Sequence, residues 1–173
     1  EGIVGESKGY WRDVGTLDSY YHSSMELLVP VPKLNLYNNN WPIFSDQGNT
    51  PPARTVSGFS GKNGYIENSY VTGGCTISGG SVRHSIIGPL TYVDDNAEVI
   101  DSVIFDNVMI NHHAKIRQTI LASGVIIPPG VEIGFDEELD RRRGFIPEIK
   151  GTPSDIRVIT RDMNLEEIIS NIR

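Results

Sequence analysis

An internal repeat between residues 66 and 134 constrains the fold more than any other feature of this sequence. An aliphatic side chain returns there every five or six residues. The aliphatic positions are Val71, Ile77, Val82, Ile87, Val93, Val99, Ile104, Ile110, Ile116, Leu121, Ile127 and Ile133. Such a period is typical of hexapeptide β-helices, in which each short strand turns one aliphatic side chain into a shared core. We therefore predict an all-β fold, a left-handed parallel β-helix of about four coils.

Two further patterns run in phase with the aliphatic positions. A small or β-branched residue stands two positions before each of them, where it leaves room at a corner. The second pattern is a hydroxyl residue followed by two apolar residues, and it occurs once for every three aliphatic positions, with spacings of 16, 17 and 17 residues. Its four copies are Ser69-Tyr70-Val71, Ser85-Ile86-Ile87, Ser102-Val103-Ile104 and Thr119-Ile120-Leu121. Three faces therefore make one coil, and each coil covers its neighbour's core.

Composition and charge limit the classes of partner. The formal net charge of −7 over 173 residues argues against a nucleic-acid partner, because phosphate contacts need a basic face. We see no signal peptide and no apolar run of membrane-spanning length, so we predict a cytoplasmic protein with no membrane partner. The single cysteine, Cys75, cannot form an intramolecular disulfide and falls at an inward position of the repeat.

The segments on either side of the repeat have weaker signals. Thr16 is placed to cap a short N-terminal helix over residues 17–28. Residues 29–64 are rich in Pro, Asn and Gly and predict an extended linker, in which Trp41, Pro42 and Ile43 pack against a neighbouring surface. Arg54 either binds an anion or faces solvent. After the repeat we expect a helical turn with Glu137 and Arg141 paired, a strand over residues 156–160 and a C-terminal helix capped by Asn164.

Several motifs in order resemble those of the ADP-glucose pyrophosphorylase (glucose-1-phosphate adenylyltransferase) family. They are Tyr10-Trp11-Arg12-Asp13-Val14-Gly15-Thr16-Leu17-Asp18, Leu34-Asn35-Leu36-Tyr37-Asn38, Asn40-Trp41-Pro42-Ile43, Pro51-Pro52-Ala53-Arg54, Ile127-Pro128-Pro129-Gly130-Val131-Glu132-Ile133-Gly134 and Val158-Ile159-Thr160-Arg161-Asp162-Met163. The resemblance covers nearly the whole chain but matches only the C-terminal part of that family. The chain, which begins with Glu1, is accordingly expected to be a fragment.

The resemblance implies a division of the chain and a reaction for the parent enzyme. Residues 1–28 would end a nucleotidyltransferase domain, residues 29–64 would be the linker, and residues 65–173 would form a regulatory and oligomerisation domain, typically of a homotetramer. The parent reaction converts ATP and glucose 1-phosphate to ADP-glucose and pyrophosphate for glycogen or starch synthesis. The remaining active-site motifs of the family are absent, so no catalytic residue or nucleotide-binding loop is assigned and the chain alone is expected to be inactive.

Site residues follow from matching positions. Without the resemblance, Arg12 and Asp13 read as a salt bridge or cap at a helix entrance. The resemblance implies that Asp13 helps to hold a catalytic Mg²⁺, together with ligands from the missing domain. It also implies that Arg161 contacts anionic sugar-phosphate or nucleotide effectors, with Lys115 and Arg117 as further candidates. Ser123 occupies a position where some members carry an Arg.

Two other functions remain open on the sequence. A hexapeptide acyltransferase would use His84, His112 or His113 as a base, although the repeat has no inserted loop. A structural β-helix module would bind no small molecule. We predict no metal at His112 and His113, because neighbouring residues of a strand point to opposite sides.

Overall fold

The computed structural model describes residues 10–43, 48–148 and 154–172. Its α-helices are α1 (Leu17–Met25), which a 3-10 turn extends over Glu26–Leu28, α2 (Glu137–Arg142) and α3 (Leu165–Asn171). Its strands are β1 (Arg54–Val56), β2 (Tyr65–Glu67), β3 (Tyr70–Val71), β4 (Thr76–Ser78), β5 (Ser81–Arg83), β6 (Ile86–Ile87), β7 (Tyr92–Val93), β8 (Glu98–Ile100), β9 (Val103–Ile104), β10 (Met109–Ile110), β11 (Lys115–Arg117), β12 (Thr119–Leu121), β13 (Ile126–Ile127), β14 (Glu132–Ile133) and β15 (Arg157–Ile159).

Three parallel five-stranded sheets form the three faces of a β-solenoid. The first face has the order β1-β4-β7-β10-β13, the second β2-β5-β8-β11-β14 and the third β3-β6-β9-β12-β15. Each strand therefore pairs with the strand three places later in the chain. Strands β1 to β12 make four consecutive coils, and β13, β14 and β15 complete a further tier. The predicted parallel β-helix of about four coils, with a short N-terminal helix and a C-terminal helix, is confirmed.

The core of the solenoid is the column of aliphatic side chains that the repeat predicts. Every predicted position from Ile77 to Ile133 is at most 1% exposed. The strands place them in register, for example Ile77 beside Val93 and Ile116 beside Val99. Cys75 is buried among them, and its thiol donates to the carbonyl of Gly88 at 3.1 Å. The prediction of a packed thiol is confirmed.

Hydroxyl side chains connect the coils at the corner before the third face. The ladder consists of Ser69, Ser85, Ser102 and Thr119. Each hydroxyl donates to the carbonyl two residues before it at 2.7 Å. It also accepts the backbone N–H of the next member, at 3.0, 3.1 and 3.3 Å along the ladder. The residue preceding each member has a positive φ, between +42° and +49°, so the ladder spans a sharp corner.

Helix α1 covers the outside of the third face. The outward residues of that face are paired in register and apolar: Tyr70, Ile86, Val103, Ile120 and Val158. Tyr21, Met25 and Leu28 pack on them. This explains why two apolar residues follow each ladder hydroxyl, since one faces the core and the other faces α1. The predicted Thr16 cap is confirmed, with its hydroxyl accepting the N–H of Ser19.

The hydroxyl of Tyr21 attaches α1 to the solenoid. It donates to the carbonyl oxygen of Asp101 at 2.6 Å. Burial, with a smaller effect of the Asp101 carboxylate, raises the pKa of Tyr21 to about 12. The Tyr21 hydroxyl therefore stays protonated throughout the physiological pH range and continues to donate this hydrogen bond.

The C-terminal end of the solenoid is closed by residues 135–148 and 154–172. The chain leaves the second face at Gly134, forms α2 and returns as β15. The Asp140 carboxylate accepts from Arg157 Nε and from the N–H of Gly134, both at 2.9 Å, and both side chains of the ion pair are buried. Phe145 and Leu165 join the core, with α3 packed against it. The predicted Glu137–Arg141 pair, at 2.8 Å, and the Asn164 cap are confirmed.

The N-terminal end is more open. Strand β1 lies inside the stretch for which the sequence predicts a linker, at the edge of its sheet, where the prolines just before it do not interrupt pairing. In the first tier Ile66 is 37% exposed, whereas its partner Val82 is fully buried. Trp41 is 77% and Ile43 54% exposed, so the expected packing of this segment is not provided within the described chain.

Candidate functional site

A surface crevice beside Arg161 is the best-formed candidate site. It has a volume of about 390 Å³ and lies between the corner that follows β12 and the segment that follows β15. Its lining includes Gly124, Ile126, Pro128, Arg161 and Glu166. Gly124 has a φ of +73°, and a Cβ there would meet the Arg161 Cδ at 3.4 Å. The positive φ favours glycine at this corner, and the Arg161 side chain lies in van der Waals range of it.

The charges around this crevice are nearly balanced. Among the residues that line it, Arg161 is the one cation and Glu166 the one anion. At the adjoining corner Ser123 donates to the Asp106 carboxylate, and this hydrogen bond lowers the pKa of Asp106. An anion bound beside Arg161 would therefore lie near two carboxylates. Strong anion binding needs additional cations, which would have to come from outside this part of the chain.

Lys115 and Arg117 lie on β11, in the second face, with both side chains outward as predicted and Ile116 between them in the core. Lys115 Nζ donates to Glu132 at 2.8 Å, and this bond raises the pKa of Lys115. The two residues are on a different sheet from β15 and do not line the Arg161 crevice. The structure thus does not gather the three predicted effector contacts into one site.

Arg117 contacts the segment that closes the C-terminal end of the solenoid. Arg117 Nε donates to the carbonyl of Gly134 at 2.9 Å, and its guanidinium carbon lies 4.7 Å from the centre of the Phe135 ring. A side chain held between two coils in this way stabilises the solenoid as well as presenting a charge. Its role toward an effector stays a prediction.

Asp13 lies in the turn before α1. Its Oδ1 accepts the N–H of Gly15 at 2.9 Å, and Arg12 pairs with Glu26 instead of with Asp13. No group of three or more His, Cys, Asp or Glu side chains that could hold a metal occurs within residues 10–43, 48–148 and 154–172. Mg²⁺ prefers six oxygen ligands, so Asp13 fits only as one ligand of a site completed by other groups.

The histidines occupy two different corners of the solenoid. His84 Nδ1 lies 2.6 Å from Asp101 Oδ1, which orients the imidazole. His112 and His113 follow β10 at the corner between the first and second faces, and their Nδ1 atoms are 3.2 Å apart. The expectation that these two side chains point apart is wrong. It assumed a strand, whereas His113 has a φ of +61° and turns the chain.

The sequence patterns did not predict two side-chain contacts between distant residues. The buried Asp140–Arg157 pair joins α2 to β15. Its two residues are 17 positions apart, but Asp140 lies in a helix outside the repeat, so the coil period did not indicate this contact. The His84–Asp101 contact joins equivalent positions of successive coils. His84 and Asp101 are 17 residues apart, which is the coil period, and this spacing could have indicated their contact.

The solenoid strands coincide with a known repeat family. A family model described as GlmU-like, C-terminal hexapeptide, matches residues 51–153. The chain belongs to this hexapeptide family. The matched region begins before β1 and includes every strand from β1 to β14.

Curated relatives of this hexapeptide chain have one name in common. Glucose-1-phosphate adenylyltransferases of Trichlorobacter lovleyi and Geobacter metallireducens are 49% and 50% identical over 144 residues, which is 83% of this chain. The corresponding protein of Teredinibacter turnerae is 45% identical over 154 residues. The chain spans only 35% or 36% of the length of these relatives. The resemblance seen in the motifs is therefore confirmed over most of the chain.

Within the part of the chain that the structure describes, no helix combines the length and the apolar character that are needed to cross a bilayer.

Proposed function

We propose that this chain is the C-terminal part of a glucose-1-phosphate adenylyltransferase and that it contributes effector binding and subunit assembly to the enzyme. The observation that carries the proposal is the identity of 42–50% to enzymes of that name over 83–93% of the chain. The parent enzyme would join ATP and glucose 1-phosphate, releasing pyrophosphate. The chain alone would be inactive, because it corresponds to about a third of each relative.

Within this proposal Asp13 is one ligand of a Mg²⁺ ion. The ion would offset the charge that develops on the transferred phosphate. Oδ2 of Asp13 accepts no hydrogen bond from the residues that the structure describes, and Asp13 is exposed before α1, which suits a shared site. Its remaining ligands would come from groups outside the described residues and from substrate phosphates.

A native polypeptide assay tests the catalytic part of the proposal. Antibodies raised against this chain would purify the natural protein, and pyrophosphate release would be followed with ATP, glucose 1-phosphate and Mg²⁺. We expect release that requires all three, and none from the 173-residue chain alone. Release by the 173-residue chain would contradict the assignment of inactivity, and no release by the natural protein would contradict the parent reaction.

For effector binding, Arg161 is the leading contact, because it lines the crevice, while Lys115 and Arg117 form a separate candidate on the second face. Arg161→Ala in the complete enzyme should weaken the response to fructose 1,6-bisphosphate, used as a sugar-phosphate probe, on the order of tenfold through the loss of one charge-assisted contact. Lys62→Ala is the control, since Lys62 is an exposed cation in the loop between β1 and β2, at the opposite end of the solenoid.

The same titration separates the two candidate sites. An unchanged response in Arg161→Ala with a weakened response in Lys115→Ala would move the effector contact to the second face. An unchanged response in all variants, Arg117→Ala included, would remove effector binding from this chain. The result would then favour the structural module.

Assembly is tested by the mass of the complete enzyme in solution. We expect a homotetramer by light scattering, in which exposed apolar residues at the open end, such as Phe59 and Ile66, offer surface for subunit contact. A monomer at micromolar concentration would exclude the assembly role. We also expect the natural protein in the cytoplasmic fraction.

One observation favours the acyltransferase alternative. The His84 imidazole is oriented by the Asp101 carboxylate, an arrangement that suits a general base. Acetyl-CoA turnover that His84→Ala abolishes would establish this alternative. Absence of turnover with glucosamine 1-phosphate or serine as probe acceptors would be the expected result under the adenylyltransferase proposal.

A further inference from the structure

The two neighbouring histidines at the corner after β10 have the geometry of a chelating pair. Their Nδ1 atoms lie 3.2 Å apart, with the ring planes at 90° and the ring centres 5.4 Å apart. Two imidazole nitrogens that bind one tetrahedral Zn²⁺, each at about 2.05 Å, lie about 3.3 Å from one another. The separation of the two Nδ1 atoms is therefore that of two ligands of one ion.

The backbone holds this corner in place from both sides. The N–H of His113 donates to the carbonyl of Asp95 in the coil before, and the N–H of Gly130 in the coil after donates to the carbonyl of His112, both at 3.0 Å. The positive φ of His113 is shared by Gly79, Asn96 and Gly130 in the other coils. Because the corner is a fixed part of the solenoid, the ligand spacing is preorganised.

The surroundings suit a cation that is open to solvent. Both histidines are exposed, so water can supply the remaining ligands. The chain's one cysteine, Cys75, is buried and does not compete as a surface ligand.

We propose that His112 and His113 form a surface site for one divalent transition-metal ion, with Zn²⁺ as the probe ion and water completing its coordination. In the metal-free pair one Nδ1–H donates to the other Nδ1. Metal binding requires the donating ring to move that proton to Nε2, so that both Nδ1 lone pairs are available. Imidazole nitrogen suits Zn²⁺, Cu²⁺ and Ni²⁺, whereas Mg²⁺ selects oxygen ligands. The site is therefore independent of any magnesium chemistry at Asp13.

Nitrogen NMR of the imidazoles tests the site directly, because the chain has only 4 histidines. The ¹⁵N-labelled 173-residue chain, without an affinity tag, would be titrated with ZnCl₂. We expect the Nδ1 signals of His112 and His113 to shift together with a stoichiometry of one ion per chain. The signals of His22 and His84 should stay in place. MgCl₂ should shift none of the four.

Matched variants make the outcome decisive. His113→Asn removes one ligand but keeps a residue that tolerates the left-handed corner, as Asn96 does one coil earlier. We expect this variant, and His112→Ala, to weaken Zn²⁺ binding by a factor on the order of ten to a hundred, because the remaining ligand acts without its linked partner. His84→Ala should bind as tightly as the unaltered chain. Unchanged affinity in His113→Asn, or shifts confined to His22 or His84, would overturn the proposal.

Discussion

The two ends of the solenoid differ in how far the core is covered beyond the last complete coil. At the C-terminal end Phe145 is fully buried and α3 packs on the core. At the N-terminal end Phe59 is fully exposed at the tip of a loop, and the core position Ile66 is 37% exposed. The C-terminal end of the core is covered by the chain that follows the repeat, whereas the N-terminal end exposes apolar side chains.

This difference shows what a repeat can and cannot do by itself. Each coil covers its neighbour, so a terminal coil needs a cap that the repeat does not encode. The C-terminal cap interrupts the repeat with α2 and then returns β15 to the third face. The hydroxyl of Ser60 and its N–H bind the Asp95 carboxylate at 2.6 and 2.7 Å, which ties down the loop of the open end without covering the core. The open end is therefore ordered but apolar.

The two phenylalanines give the largest expected contrast. Phe145→Ala should reduce the free energy of unfolding by about 4 kcal/mol, because it leaves a cavity in the closed end. Phe59→Ala should change it by less than about 0.5 kcal/mol, since the ring is exposed. Urea unfolding of the two variants measures both values. Equal losses would contradict the contrast between the ends.

The buried ion pair of the closed end comes next. Asp140→Ala leaves the Arg157 guanidinium buried without its partner and should cost about 3 kcal/mol. Glu137→Ala, on the same helix, removes an exposed pair and should cost about 0.3 kcal/mol. Thermal denaturation monitored by circular dichroism distinguishes the two. If Glu137→Ala lost as much stability as Asp140→Ala, the buried ion pair would not be the main contribution of α2 to stability.

The hydroxyl ladder allows a comparison within one structural feature. Ser102 is fully buried, and Ser102→Ala removes the acceptor of the Thr119 N–H, so we expect a loss of about 1.5 kcal/mol. Ser69 stands at the open end, where water can replace its hydroxyl, so Ser69→Ala should cost about 0.5 kcal/mol. Chemical denaturation would measure both. A larger loss for Ser69→Ala would indicate that the open end is covered in solution.

The last prediction concerns the helix that covers the third face. Tyr21→Phe removes one hydrogen bond and should cost about 1 kcal/mol near neutral pH. The folded-state pKa of Tyr21, raised to about 12, lies above its ordinary value, so the unfolded chain loses the proton first as pH rises. Stability contributed by this group is complete below pH 10 and is lost between pH 10 and about 12. The stability difference between the native chain and Tyr21→Phe should shrink in that window, and a constant difference would contradict the assignment.

The sequence predicted the features that depend on local spacing. The buried column from Ile77 to Ile133, the Thr16 and Asn164 caps and the Glu137–Arg141 pair all follow from periods of a few residues. The triplets that begin with Ser69, Ser85, Ser102 and Thr119 were also visible in the sequence. Their reason, a hydroxyl ladder beside a face covered by α1, became clear only from the packing.

Features that depend on distant residues or on corner geometry were missed. Asp140 and Arg157 are brought together by the return of β15, which no local pattern encodes. The expectation that His112 and His113 point apart was wrong because a hexapeptide strand is only two or three residues long, so a neighbouring pair can fall on a corner. Arg161, Lys115 and Arg117 share a charge, but the solenoid places Lys115 and Arg117 on the second face, away from the Arg161 crevice.

The size of the natural polypeptide tests the account most directly, because the proposed function requires a longer enzyme. An antibody to this 19.1 kDa chain would detect it by immunoblotting of a denaturing gel. We predict a single species of more than twice 19.1 kDa, since the chain spans about 35% of its relatives. A species of 19.1 kDa alone would contradict the adenylyltransferase proposal and leave the β-solenoid as a binding or assembly protein.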